Sequence, residues 1–163
     1  MPSFDLVSKL DMGEIKNALI QAQKELSSRY DFKGSKVAIE LKGDTALELT
    51  AEDEYKMRAA LEIFRAKLIK RNLGMKNIEP GDITPAGNQM LKQTIVLKNG
   101  IDKEQGKKIN KIIKEGKFKV TSSYLEERVR ITGKKIDDLQ MIFSMLKSHK
   151  DVEVELQMEN MKS

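Results

Sequence analysis

Leu47, Leu49, Met57 and Leu61 each have an apolar counterpart 82 positions later, at Val129, Ile131, Leu139 and Phe143, and Thr50 is matched by Thr132. Nearer the N-terminus the matches fall about 90 apart: Leu6 with Val96, Leu19 with Ile109, Ala22 with Ile112. Two constant offsets joined to a repeated order of elements indicate a duplication. The first half reads as a strand SFDLVSK, then a helix opening at Asp11, with Glu14 three positions on and Ile15, Leu19, Ala22 and Leu26 on one face. Strands KVAIELK and ALELTA follow around Lys42-Gly43-Asp44, then a helix over 52–72 with Met57, Ala60, Leu61, Phe64 and Leu68 in a stripe. The second half repeats this as KQTIVLK (92–98), a helix over 102–115, strands KFKVTSS and ERVRITG, a helix over 135–148, and a closing strand DVEVELQ with Val152, Val154 and Leu156 alternating. Strand, helix, strand, strand, helix, strand is the ferredoxin-like order, so the expected fold is α+β, a tandem of two ferredoxin-like domains.

The expected division is 1–90 and 91–163. Periodicity stops over 74–90, where Pro80 and Pro85 stand among Gly74, Gly81 and Gly87, and that stretch reads as a linker. The first half then lacks a clear closing strand. Either Asn77-Ile78 is a vestigial edge strand, or 92–98 completes the first sheet and the N-terminal strand crosses to the second. The change of offset also isolates an insertion: SSRYDFKG, residues 27–34, has no counterpart in the second half, where only Gly116 and Lys117 separate Glu115 from Phe118.

Composition narrows the chemistry. With no Cys and one His among 163 residues, there is no Cys–His pair, no His-rich metal set and no His-centred triad. His149 ends a helix, which suits a capping role. Glu52-Asp53-Glu54 and Asp137-Asp138 stand at helix starts, where negative charge meets the dipole. Neither a Gly-rich phosphate loop nor a membrane-length apolar run is present, and MPSFDLVSKLDMGE carries no apolar signal core; the expected setting is the cytoplasm. The whole net charge of +5 arises in 91–163, since 1–90 hold 14 basic and 14 acidic side chains.

Several segments resemble the YajQ family of small bacterial proteins: MPSFD at the start, SRYDFKG at 28–34, LKNGI at 97–101 and VRITGKKIDDLQ at 129–140. The resemblance implies two ferredoxin-like domains similar in topology to RNA-recognition modules, with N-terminal strands exchanged between them. It further implies nucleotide binding, with cyclic di-GMP the ligand associated with some members.

The residues themselves offer a site. Arg29 carries a planar fork of donors suited to phosphate, Lys33 a mobile ammonium, and Tyr30 and Phe32 flat surfaces for a base; in extended form the charges would share one side and the rings the other. The same two rings suit an equally simple role, packing at the domain junction with Arg29 paired to Asp31. Arg128 and Arg130 share a strand face opposite Val129 and Ile131, and Lys134 follows. The expected function is a non-enzymatic nucleotide-binding protein that needs no cofactor or metal. Its ligand, a cyclic dinucleotide or purine nucleotide, is expected in the cleft between the domains, touching Arg29, Tyr30, Phe32, Lys33, Arg128, Arg130 and Lys134. Two alternatives stand beside it. Lys103, Lys107, Lys111 and Lys114 form one stripe of a helix, which suits RNA or DNA as well as plain solvation, although sheet-face recognition wants aromatics and Phe4, sharing a side with Leu6, is expected in the core. A scaffold binding a regulatory protein through the aromatic loop is the third class.

Overall fold

The computed structural model describes all 163 residues. The chain forms two compact units, Met1–Lys9 with Asn99–Ser163, and Leu10–Lys98. Each contains a four-stranded antiparallel sheet and two helices.

In the unit Leu10–Lys98 the elements are α1 (Met12–Ser28), β2 (Ala38–Lys42), β3 (Ala46–Ala51), α2 (Glu54–Lys70), β4 (Ile78–Gly87) and β5 (Met90–Leu97), with β1 (Ser3–Val7) lying in the other unit. Helix α1 starts where expected, because the Asp11 carboxylate accepts from the Glu14 N–H at 3.1 Å; Asp53 caps α2 in the same way through Lys56 N–H at 2.8 Å. The stripes of α1 and α2 bury Ile15, Leu19, Leu26, Met57, Phe64 and Leu68 against Leu47, Leu49 and Ile95.

The stretch read as a linker is a strand. Residues 78–87 form β4, which pairs antiparallel with β5 and turns into it through Asn88 and Gln89, so the sheet order is β2-β3-β5-β4. Prolines are tolerated because β4 is an edge: Pro80 and Pro85 stand there with register shifts beside them, and no neighbouring strand needs their missing N–H.

The remaining elements, α3 (Lys103–Glu115), β6 (Val120–Leu125), β7 (Arg128–Gly133), α4 (Ile136–Lys147) and β8 (Gln157–Lys162), build the other unit around β1, in the order β6-β7-β1-β8. The boundary at residue 90 therefore does not coincide with the units: the N-terminal strand pairs with β7 and β8, and β5 completes the first sheet. Its core takes Phe4, Leu6, Ile109, Ile113, Val129, Ile131 and Leu139, with Phe4 meeting Phe143 edge-on at 6.1 Å. The closing strand begins later than expected. Val152, Val154 and Leu156 are buried as their alternation suggests, yet that segment is irregular and strand pairing starts at Gln157. Alternation reports which side chains go inward, not whether the backbone is paired. Gly106 sits inside α3 because the Tyr124 ring lies 2.6 Å from where a Cβ would stand.

The register corrects one alignment. Leu6 stands opposite Val129 as Ile95 stands opposite Leu47, so its counterpart is Ile95 rather than Val96. One residue decides the face: Ile95 is buried and Val96 is 43% exposed.

β6 and β7 are joined by Glu126 and Glu127, both left-handed at φ 52° and 62°. That turn normally carries Asn-Gly. Replacing Glu126 by Asn together with Glu127 by Gly is expected to stabilise this unit by about 1 kcal/mol and raise its thermal midpoint by about 4–8 °C. A lowered midpoint in calorimetry would show that the glutamates hold the turn in some other way.

Candidate functional site

The insertion does not run extended. α1 ends at Ser28, and Tyr30–Phe32 form one 3-10 turn, closed by Lys33 N–H donating to the Tyr30 carbonyl at 3.1 Å. In such a turn residues two apart do not share a side, so the two rings part: Phe32 is 5% exposed within the core, and Tyr30 is 88% exposed. Arg29 is engaged. Its Nε and Nη2 donate to Asp31 at 3.0 and 2.7 Å, its Nη1 donates to Glu25 at 3.3 Å, and its guanidinium lies 5.4 Å from the Phe32 ring centre. The hydrogen bond from Arg29 holds the Asp31 carboxyl below its usual range, and that from Lys67 does so for Glu25. With two carboxylates on it, Arg29 is a poor phosphate ligand. Lys33 remains exposed and lines a hollow of 420 Å³ between α1, the insertion and β2.

The better-built arrangement lies in the other unit. On β1, Phe4 and Leu6 face the core, so alternation sends Asp5 to the opposite side of the sheet. Its register partner on β7 is Arg130. Asp5 is 1% exposed, covered by what it binds: Arg130 donates through Nε at 2.9 Å and Nη2 at 3.4 Å, Arg128 through Nη1 at 3.1 Å, and Asn160 through its amide at 2.9 Å. Asn160 reaches Asp5 from β8 in a left-handed conformation, φ 54°, which Asn tolerates better than most residues. Hydrogen bonding from Arg130, joined by Asn160 and Arg128, outweighs desolvation and holds the Asp5 carboxyl far below the usual carboxylate range.

One carboxylate thus fixes two guanidiniums. Each arginine has five N–H donors, and Asp5 takes one from Arg128 and two from Arg130. The side chains stay 36% and 58% exposed, and with Asp5, Ser123, Leu125 and Glu126 they line a hollow of 290 Å³. A positively charged pair held at fixed spacing, with donors to spare, is suited to an oxyanion. Lys134 is exposed beyond the end of β7 and is not part of this lining.

The other sheet carries no equivalent. Glu48 pairs with Thr94 and Glu40 there as Arg130 pairs with Asp5 and Ser123, so two carboxylates stand where the sheet containing β1 has an arginine and a serine. Sequence reading found both arginines and missed Asp5 and Asn160. The available signal was an Asp in the middle of a strand, where that residue is depleted.

The remaining candidates have ordinary partners or remain solvated. Lys103, Lys107, Lys111 and Lys114 are all exposed along α3, with Lys111 3.9 Å from Glu115, while Gln105, Ile109 and Ile113 face inward. His149 accepts the Asp151 N–H at 3.1 Å in the turn after α4. Glu52 binds Ser35 Oγ at 2.8 Å, Lys36 N–H at 2.9 Å and Lys56 at 3.0 Å, fastening the end of the insertion to the start of α2. No helix is long and apolar enough to cross a membrane.

The four insertion residues belong to one unit, and Arg128, Arg130 and Lys134 to the other. Comparison with known proteins covers both. The model of a family described as nucleotide-binding protein YajQ-like matches residues 2–162. A protein of Geotalea uraniireducens named nucleotide-binding protein is 48% identical over 160 residues, 98% of each chain. A protein of the same name from Citrifermentans bemidjiense is 44% identical over 163 residues, the full length of both chains. Another, from Carboxydothermus hydrogenoformans, is 47% identical over 146 residues, 89% of this chain and 88% of the relative.

Proposed function

Because this chain belongs to the YajQ-like family, we propose that it is a non-enzymatic nucleotide-binding protein, with the phosphates of a purine nucleotide or a cyclic dinucleotide such as cyclic di-GMP resting on Arg128 and Arg130. The observation that carries this reading is the arginine pair fixed by buried Asp5. A surface arginine loses side-chain freedom when it grips a phosphate; here Asp5 has already fixed both, so less is lost on binding. The sheet also explains the choice of half. Only the sheet containing β1 carries arginines on its strands, and Glu40 and Glu48 on the other sheet would repel the same anion.

Calorimetric titration with cyclic di-GMP, GTP, ATP and a short RNA, at about 50 and 200 mM salt, tests the proposal. Saturable binding of one small nucleotide is expected, weakened about tenfold or more in Arg130→Ala with the thermal midpoint retained. If affinity instead grows with RNA length and collapses with salt, the lysine stripe of α3 is the functional surface and the anchor is misassigned. If no nucleotide binds, the reading fails outright.

A further inference from the structure

We propose that the hollow beside β2 is a second, separate site, which takes the base and ribose of a purine nucleotide. The proposal rests on the nucleotide-binding reading and concerns a ligand bound apart from the arginine pair.

The wall of this hollow is an edge strand whose main chain faces it. β2 ends its sheet, with only β3 beside it. The Thr45 carbonyl accepts from Leu97 N–H at 2.9 Å, so by antiparallel alternation Leu47 and Leu49 address β5, while Ala46, Glu48 and Thr50 address β2. Ile39 and Leu41, opposite Leu49 and Leu47, therefore turn their N–H and C=O groups outward. Gln23 confirms the direction from α1: its side-chain amide donates to the Ile39 carbonyl at 2.7 Å. This leaves the Ile39 N–H as a donor and the Gln23 side-chain oxygen as an acceptor, on two hydrogen-bonded residues of the lining. The pairing edge of a purine offers an acceptor and a donor to such groups, and its two rings cover more apolar floor than the single ring of a pyrimidine.

The floor is apolar, made by Leu26, Phe32, Val37 and Ile39, and the 420 Å³ volume lies within the range of small-molecule pockets. Ser27 and Lys33 stand at the rim, and Lys33 makes no ion pair. Its ammonium is placed for a phosphate attached to the nucleoside.

The insertion makes this site, which gives SSRYDFKG a role that neither exposed Tyr30 nor engaged Arg29 supplies. Phe32 anchors it in the core, and Glu52 grips Ser35 and Lys36 just beyond its end. Between them Gly34 adopts φ +77° with nothing within 4 Å of where a Cβ would stand, so glycine is there for backbone conformation. In the other unit Gly116 and Lys117 join α3 to the segment leading into β6, too short a connection to form such a wall.

Amide spectra of the full chain, titrated separately with guanosine and adenosine, which lack phosphate, and with pyrophosphate, which lacks a base, test the proposal. Purine nucleosides are expected to shift the Ile39 amide and the Gln23 side-chain amide, more strongly than uridine does. Gln23→Ala, a change at an exposed position, is expected to weaken them about tenfold. Lys33→Ala is expected to remove most of the advantage of GMP over guanosine. The proposal is overturned if no nucleoside moves these resonances, or if the shifts survive Gln23→Ala undiminished. Pyrophosphate binding that Arg130→Ala removes, without any nucleoside effect, would sink this site and leave the arginine anchor standing. Nucleoside binding with no pyrophosphate effect would do the reverse.

Discussion

Asp5→Ala is expected to destabilise the unit made of Met1–Lys9 and Asn99–Ser163 by about 2–3 kcal/mol, read as a lower urea midpoint at neutral pH with unchanged slope. The carboxylate accepts from three side chains and is itself shielded from water, so deleting it removes every one of those hydrogen bonds and leaves a gap beneath two like charges. The cost stays below that of breaking a fully buried ion pair because the arginines are partly exposed and water can reach them. Asp5→Asn retains the shape and one acceptor oxygen and is expected to lose about half as much. The same carboxylate sets a pH dependence. Its folded pKa lies below the unfolded value near 3.8, so its contribution is complete above that value and is lost as pH falls below about 4. Stability of the parent protein should therefore decline more steeply between about pH 4 and 2 than that of Asp5→Asn. Equal slopes, or an Asp5→Ala loss below about 0.5 kcal/mol, would mean that Asp5 does not hold the arginines.

Phe32→Ala is the second large effect, expected to cost the unit Leu10–Lys98 about 3–4 kcal/mol, whereas Tyr30→Ala should change stability by less than about 0.5 kcal/mol. The contrast follows from burial. Phe32 packs in the same cluster as Leu26, Ile39 and Met57, so truncation leaves a cavity, while Tyr30 gives up almost no contact. Loss of ligand affinity in Phe32→Ala is consequently no evidence of stacking, and variants at Gln23 and Lys33 are the informative ones. Were Phe32→Ala to cost under about 1 kcal/mol, the ring would not be part of the core and the anchored wall of the hollow would have to be abandoned.

Much of this organisation is legible along the chain. Asp11, Asp53 and Asp102 each cap a helix through the N–H three residues on, a local interaction that sequence spacing reports directly. The apolar stripes of α1 and α2 are likewise local patterns. Arg128 and Arg130 were visible as a pair because strand alternation places them on one face. Their value as a site was not, since it depends on Asp5 and Asn160, more than a hundred residues away on one side and thirty on the other. The split roles of Tyr30 and Phe32 were hidden for a different reason. They depend on where α1 stops and on the 3-10 turn that follows, and a shift from extended to turn geometry redirects each ring.

The sequence by itself determined the duplication, the two sets of strands and helices, the unmatched insertion, and which side chains are available to hold an anion. It left two arrangements of β1 and β5 open, because both are short strands with one apolar face and either can complete a sheet. Tertiary pairing decided between them, and charge supplies the reason. In the observed arrangement Asp5 stands opposite Arg130 and Thr94 opposite Glu48. Exchanging the strands in the same registers would set Asp5 against Glu48, a like-charge pair, and leave Arg130 facing a threonine. Long-range electrostatic complementarity of this kind is carried by no local pattern, and it both favours the observed strand pairing and holds the two arginines in place.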